Sequence, residues 1–221
     1  MSKADSLTQA QINRVLATCL LLPHSEAKRC SVALSHAALR VTEIALLKTK
    51  HILYPSGNIR EEVSLPAKIC KHLKPRVIWL SNPKARSIIQ EWIDYRKSKL
   101  WAVTKSNEFQ GLNPESRFLL NNRGRSYALQ PKPRIMLDGE VKTYWACDSL
   151  EQSFRKLYAR CGLHTASSHT GRKSLVTNAI IRGESLENMA RILGHSSTET
   201  TLKYVVIQQK RLKAMCALDW L

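Results

Sequence analysis

The chain has 221 residues, 43% of them apolar, which is enough for one large domain or two small ones with a real core, so disorder is excluded as the default. Thirty-five lysines and arginines stand against 17 acidic residues, a formal charge of +18 that calls for a polyanionic partner. The basic residues run from Lys3 to Lys213 rather than forming one amphipathic anchor, and no segment is apolar long enough to span a bilayer, so nucleic acid is expected and a membrane is not.

The opening "MSKADSLTQAQINRV" lacks the apolar core of a secretory leader, and six cysteines (Cys19, Cys30, Cys70, Cys147, Cys161, Cys216) form no C-x-x-C pair. They read as reduced, buried thiols of a cytoplasmic protein. The histidines do not join them at metal-ligand spacing.

In chain order, "SLTQAQINRVLATCLLL" has a Ser or Thr cap and helical apolar spacing, and Pro23 stops it. "SEAKRCSVALSHAALRVTEIALLKT" predicts two short helices meeting near Ala37 to Arg40. The period then changes: "HILYPSGNIREEVSLPAKICKHLKPRVIWLS" carries turns at Pro55–Gly57 and around Lys71 to Lys74 between β-branched runs, which predicts a small antiparallel sheet of three strands. In "NPKARSIIQEWIDYRKSKL", Asn82 caps and Pro83 opens a helix whose apolar face is Ile88, Ile89, Trp92 and Ile93. Residues 101–148 read as a polar connection with a strand at "RFLL", a turn at "NNRG" and a hairpin in "IMLDGEVKTY" around Asp138-Gly139. Helices resume at "SLEQSFRKLYARCG", with Ser149 capping and Gly162 closing, and continue with breaks at Gly183 and Gly194. The fold class is α+β, mainly helical with a small three-stranded antiparallel sheet.

Within the last helical stretch, His169 and Arg172 lie three apart at a helix start, on one face and near the positive end of the helix. The stripe Leu186, Met189, Ala190, Leu193 ends at Gly194, which puts His195 just past a helix end with its ring free to enter a groove. Ser196 and Glu199 form a capping-box pattern that starts a further helix carrying Tyr204. Taken singly, each of these side chains is explained by packing or by contact with phosphate.

Taken together, "HTGR" followed by "LGHSSTETTLKY" resembles the C-terminal signature of tyrosine recombinases, the phage integrase and Xer-like enzymes. Upstream, "AALRVTEIALL" is similar to that family's first arginine box, which makes Arg40 its arginine and Glu43 a supporting acid. The segment "KHLKPRVIWL" fits the family's β-hairpin lysine, and a gapless alignment selects Lys71 over Lys68 or Lys74. The matching segments span most of residues 30–210, leaving 101–148 unassigned. The chain departs from the pattern at Gly171 and Lys173, where many members have Leu and His, and at Ala37-Ala38, which replace the common Thr-Gly.

The resemblance implies a phosphodiester transfer whose needs these residue types meet. Arg40 and Arg172 can hold the nonbridging phosphate oxygens bidentately as charge builds on them. Tyr204 is the nucleophile, and a phenol with an ordinary pKa near 10 needs help at neutral pH, for which His169 is the candidate base. Lys71 is the candidate acid for the leaving 5′ oxygen, and His195 can donate a hydrogen bond to the phosphate. A 3′-phosphotyrosyl link stores the bond energy, so no cofactor and no metal is expected, in keeping with the lack of nucleotide- or metal-binding motifs.

The function implied is site-specific DNA recombination: integration, excision or inversion. The alternatives are a type IB topoisomerase-like relaxing enzyme and a non-catalytic DNA-binding relative. Expected partners are double-stranded DNA, further copies of the chain (a tetramer in synapsis, a monomer or dimer when free) and accessory DNA-bending proteins, in a bacterial or phage-encoded, nucleoid-associated setting. About 30 residues precede the first arginine box, so residues 1–221 are expected to form a single catalytic domain with no separate N-terminal DNA-clamping domain, similar to the fimbrial phase-switch invertases. The final "QQKRLKAMCALDWL" carries an apolar stripe of Leu212, Met215, Cys216, Leu218 and Leu221 and is expected to be a helix that docks on a neighbouring protomer.

Overall fold

The computed structural model describes residues 5–205 other than 137 and 138, and of His72 only the backbone. The expected C-terminal docking helix, Cys216 and the Asp138 position of the hairpin turn lie outside the described residues. Among the described residues no helix is long and apolar enough to cross a membrane.

Helix α1 (Gln9–Leu20) starts at Thr8, whose hydroxyl accepts from Gln11 N while the Gln11 side chain accepts from Thr8 N at 2.8 Å, a complete capping box. Helices α2 (Ser25–His36) and α3 (Val41–Leu46) meet at Ala37–Arg40 as expected. Ala38 sits there at φ +69°, a conformation that suits glycine far better than alanine.

The three-stranded sheet is not formed. The chain instead builds two separate two-stranded antiparallel sheets, β1 (Glu62–Leu65) with β2 (Arg76–Trp79), and β3 (Gln130–Ile135) with β4 (Val141–Ala146). The first expected strand, around "HILY", is a single helical turn, α4 (Thr49–Ile52), followed by one isolated bridge between Leu53 and Ile59. The start of this turn finds backbone partners elsewhere: Thr49 N and Lys50 N donate to the carbonyls of Ser116 and Pro114, and Ile52 is buried within the helical turn. The β-branched residues were a true sign of burial and a false sign of pairing.

Helix α5 (Pro83–Ser98) begins as predicted, Asn82 Oδ1 accepting from Ala85 N at 3.0 Å. Its Trp92 and Arg96 are fully buried and fasten the 101–120 segment, Trp92 Nε1 donating to Phe118 O at 2.8 Å and Arg96 reaching Phe118 O, Thr49 Oγ1 and Ser116 Oγ. The "RFLL" stretch thus enters the core as buried loop, touching a strand partner at one bridge only, Lys48 with Arg117. Helix α6 (Asp148–Arg160) starts one residue before the expected cap, so Ser149 lies in its first turn.

Helices α7 (Thr170–Ile181), α8 (Leu186–Leu193) and α9 (Thr198–Leu202) complete the described chain. Gly171 is where α7 crosses α2: a methyl group there would overlap Ser35, standing 2.7 Å from its backbone carbonyl carbon. The departure at this position therefore has a packing reason. One large core unites α1 to α6 with the inward face of β1 and β2, and a small second cluster of Ala38, Val176, Met189 and Leu193 lies under α7 and α8, with Tyr204 packed against it. Five described cysteines are buried and unpaired, as expected.

Candidate functional site

The site forms where the two clusters meet, at the C-terminal end of α8. A helix end leaves carbonyls without intrahelical partners and a partial negative charge. Here those carbonyls are taken by arginines. Leu193 O accepts from Arg172 Nη2 at 2.9 Å and from Arg40 Nη2 at 3.3 Å, and Ile192 O accepts from Arg76 Nη1 at 3.0 Å. The left-handed turn at Ala38 aims a further carbonyl at the same place, accepting from Arg76 Nη2 at 2.7 Å and from Arg172 Nη1.

One carboxylate organises the group. Glu43, fully buried, pairs with Arg40 Nη1 at 2.8 Å and Arg76 Nη2 at 2.6 Å, and also accepts from Arg40 N at 2.7 Å. Burial by itself would raise its pKa, but Arg76 and then Arg40 outweigh that and hold the carboxyl below the usual range. Arg172 is 1% exposed, and its pKa is pushed down to about 9 by burial and then by Arg40 and Arg76, which leaves it charged at neutral pH. Its Nε is buried with no hydrogen-bond partner in the structure. Arg29 and Arg96 also carry such a nitrogen, but only Arg172 has it amid other guanidinium groups, in a setting suited to an anion.

Gly194 adopts φ +65° to end α8, and His195 N returns to Ala190 O at 2.9 Å. A side chain at 194 would stand 2.6 Å from Arg76 Cδ, so the glycine also makes room for that arginine. The His195 ring bridges Thr201 Oγ1, 3.0 Å from Nδ1, and Arg172 Nη2, 3.5 Å from Nε2. Desolvation, then Arg172, Arg40 and Arg76, with Lys71 adding, depress its pKa to about 4. It is therefore neutral at pH 7, and Nε2, opposite an obligatory donor, is the accepting nitrogen in this state.

Tyr204 lies in the turn just beyond α9, not on that helix as expected, and Ser197 rather than Ser196 is the cap, accepting from Glu199 N. Its phenol ring packs on His195 with centroids 5.0 Å apart and lies under Arg172, whose Cζ is 5.9 Å from the ring centre. Thr177 Oγ1 donates to Tyr204 O at 3.1 Å, tying the turn to α7.

His169 is the residue before α7 and is exposed, its Nδ1 3.4 Å from Ser168 Oγ. Desolvation and the charges of Arg172, Arg40 and Lys173 lower its pKa against the opposing Glu151. With the residue exposed, those cationic neighbours are the firmer cause. The imidazole standing directly against the phenol is thus His195. Lys71 opens the second of two short 3₁₀ turns between β1 and β2, Lys71–Leu73 after Ala67–Ile69, and is exposed. Of the hairpin lysines, the charge of Lys71 is felt by His195 and that of Lys68 by His51.

Sequence reasoning missed Arg76. Its signal was the period of two: in register, Arg76 pairs with Leu65 and Ile78 with Val63, so Arg76 shares the inward face of the hairpin with three buried aliphatic residues.

The mainly helical α+β fold matches that of tyrosine recombinase catalytic domains. The chain belongs to the phage integrase family, whose model matches residues 5–211. Among solved structures it is similar to the XerA recombinase (TM-score 0.65, 16% identity, over 95% of this chain and 63% of that one). It is also similar to the Tn1549 transposon integrase in complex with circular intermediate DNA (TM-score 0.59, 16% identity, 95% and 66%). A third likeness is to the catalytic domain of bacteriophage HP1 integrase (TM-score 0.52, 15% identity, 98% and 95%). At these identities the likeness is one of fold, and the chain spans between about half and two thirds of the Xer recombinases that it matches. A search of curated proteins returns no match.

Proposed function

We propose that the chain is a site-specific DNA recombinase that cuts and rejoins duplex DNA through a 3′-phosphotyrosyl intermediate. The observation that carries this reading is the shared placement of Arg40 and Arg172 on Leu193 O with the Tyr204 ring under Arg172. Two fixed guanidinium groups stand where a phosphate beside a phenol would lie, which is the electrostatic arrangement that phosphoryl transfer to tyrosine requires.

In this reading Tyr204 attacks phosphorus, Arg40 and Arg172 bind the nonbridging oxygens, His195 contacts the phosphate, and Lys71 protonates the leaving 5′ oxygen. His169 serves as base. Neutral His195 can also take the phenolic proton, given its contact with the ring. DNA as partner is supported by the formal charge of +18 and by recombinase relatives solved on DNA. Assembly through the C-terminal segment is supported by an open cleft of about 410 Å³ lined by Ile12, Leu16, Val32, Ala33 and Leu175, an apolar trough between α1, α2 and α7.

The test is a library of nicked suicide duplexes with a randomised core, from which covalent adducts are recovered on denaturing gels and sequenced. Unmodified protein in chelator should form an adduct at selected sequences, and Tyr204→Phe, which loses one oxygen and keeps the ring, should bind DNA and form none. An adduct with Tyr204→Phe refutes the assigned nucleophile. Binding without any adduct from the unmodified protein leaves a DNA-binding relative, and adducts without sequence preference leave a relaxing enzyme.

A further inference from the structure

The ribbon β3–β4 is the largest feature that the site does not use. Its six pairs run from Gln130↔Ala146 to Ile135↔Val141, and nearly every residue is exposed, including Ile135 at 75% and Trp145 at 58%. A bare ribbon of this kind contributes nothing to the core.

Alternation divides it into two unlike faces, because partners in register point the same way and neighbours along a strand point oppositely. One face carries Lys132 with Tyr144 and Arg134 with Lys142; the other carries Pro131 with Trp145, Pro133 with Thr143 and Ile135 with Val141. All the cations are on one side.

The ribbon is rooted beside the proposed active site. Lys132 Nζ pairs with Asp148 Oδ2 at 2.6 Å at the start of α6, and Glu151, one turn along that helix, acts on His169. Its β3 edge is closed to strand addition. Met136 N bonds inward to Glu140 O, so in this register the odd-numbered residues of β3 turn their nitrogens outward, and two of those, Pro131 and Pro133, have no N–H to offer.

We propose that the Lys132, Arg134, Tyr144 and Lys142 face of this ribbon lies along the phosphate backbone of duplex DNA flanking the cut, as an arm that lengthens the bound site. This rests on the recombinase reading. Two of the cations have exposed carboxylate partners, Asp148 for Lys132 and Glu140 for Lys142 at 3.2 Å, and such surface pairs are weak enough to yield to a phosphate. Lys132 and Arg134 stand two residues apart, about 7 Å along the strand at ~3.3 Å per residue, with Lys142 opposite Arg134, so the three cations face one short stretch of backbone.

The experiment measures affinity for a short scrambled duplex by anisotropy between roughly 50 and 200 mM salt, for the unmodified chain and for the triple variant Lys132→Gln, Arg134→Gln, Lys142→Gln. Loss of three phosphate contacts should flatten the slope of log affinity against log salt by about 2 to 3, and the triple variant Lys132→Arg, Arg134→Lys, Lys142→Arg should restore it. On a duplex carrying a sequence recovered from the suicide library, hydroxyl-radical footprints should shorten on one side in the glutamine variant. Equal melting temperatures show that the exposed changes leave the fold intact. If the unmodified chain binds with a steep slope and the glutamine variant matches it in slope and footprint, the arm is refuted while DNA binding stands. If the unmodified chain shows no salt-dependent binding, the recombinase reading itself fails. A variant altered only in sedimentation, with binding unchanged, makes the ribbon a contact between copies and also overturns the proposal.

Discussion

Replacing Arg76 with methionine tests whether the guanidinium cluster is built on its buried acid. The substitution removes contacts to Glu43 Oε2 at 2.6 Å, Ile192 O at 3.0 Å and Ala38 O at 2.7 Å, from a side chain only 6% exposed. Breaking a buried pair from one side costs about 3 to 5 kcal/mol. Arg40 stays on Glu43, so the lower end, about 3 kcal/mol, is expected, or roughly 6 to 12 °C in melting temperature for a domain of this size. Freed from Arg76, the end of α8 lets His195 and the turn of Tyr204 drift, and displacements near 1 Å cost on the order of 100-fold in reactivity. Circular dichroism melts and single-turnover adduct formation on a suicide duplex read the two effects.

The pH dependence sharpens the test. Glu43 is depressed in the fold, so its contribution is present above the ordinary carboxylate pKa of about 4.3 and is lost as pH falls below it. Arg76 is the main cation behind that depression, so the gap in melting temperature between variant and parent should narrow in acid. Arg76→Lys should recover part of both losses. A variant that melts within 2 °C of the parent (roughly 1 kcal/mol or less) and reacts at the same rate would refute the reasoning.

Gly171→Ala should destabilise the protein by about 1 to 3 kcal/mol despite alanine's better helix propensity, because the added methyl overlaps Ser35 across the α2–α7 crossing; a raised melting temperature would show that the helices can separate freely. Acid should weaken the DNA-free protein well above the carboxylate range. His195 and His51 each have a folded pKa near 4, so the unfolded chain takes up protons first as pH falls below about 6.5, and the stability present above that value is lost toward pH 4. Discounted for partial exposure, the pair is worth about 2 kcal/mol at pH 5. A melting temperature that stays level from pH 7 to pH 5 would contradict the depressed values.

What could be read before folding was local. Thr8 and Asn82 caps, the α5 face of Ile88, Ile89, Trp92 and Ile93, and the spacing of His169, Arg172, His195 and Tyr204 are all short-range patterns, and each element or residue falls where that pattern put it or within a residue or two. The misreadings were long-range. The helical turn that takes the place of the strand expected at "HILY" starts at Thr49 and Lys50, whose nitrogens donate to carbonyls at Ser116 and Pro114, more than 60 residues away. Arg76 meets Glu43 across 33 residues and Ile192 across 116, separations at which sequence spacing carries no signal. Arg96 sits in a basic stretch that suggests a solvated face, yet it is wholly buried as the fastener of the 101–120 segment. Trp92 joined the core, while Trp79 and Trp145 face solvent.

The acceptors that hold the arginines at Ala38, Ile192 and Leu193 are main-chain carbonyls. Every amino acid supplies the same carbonyl, so these anchors are themselves blind to side-chain identity. What cannot change freely is the path of the backbone: the left-handed turns at 38 and 194 decide where those oxygens point. The left-handed backbone at these two residues is therefore what this site has to inherit intact alongside the buried Glu43.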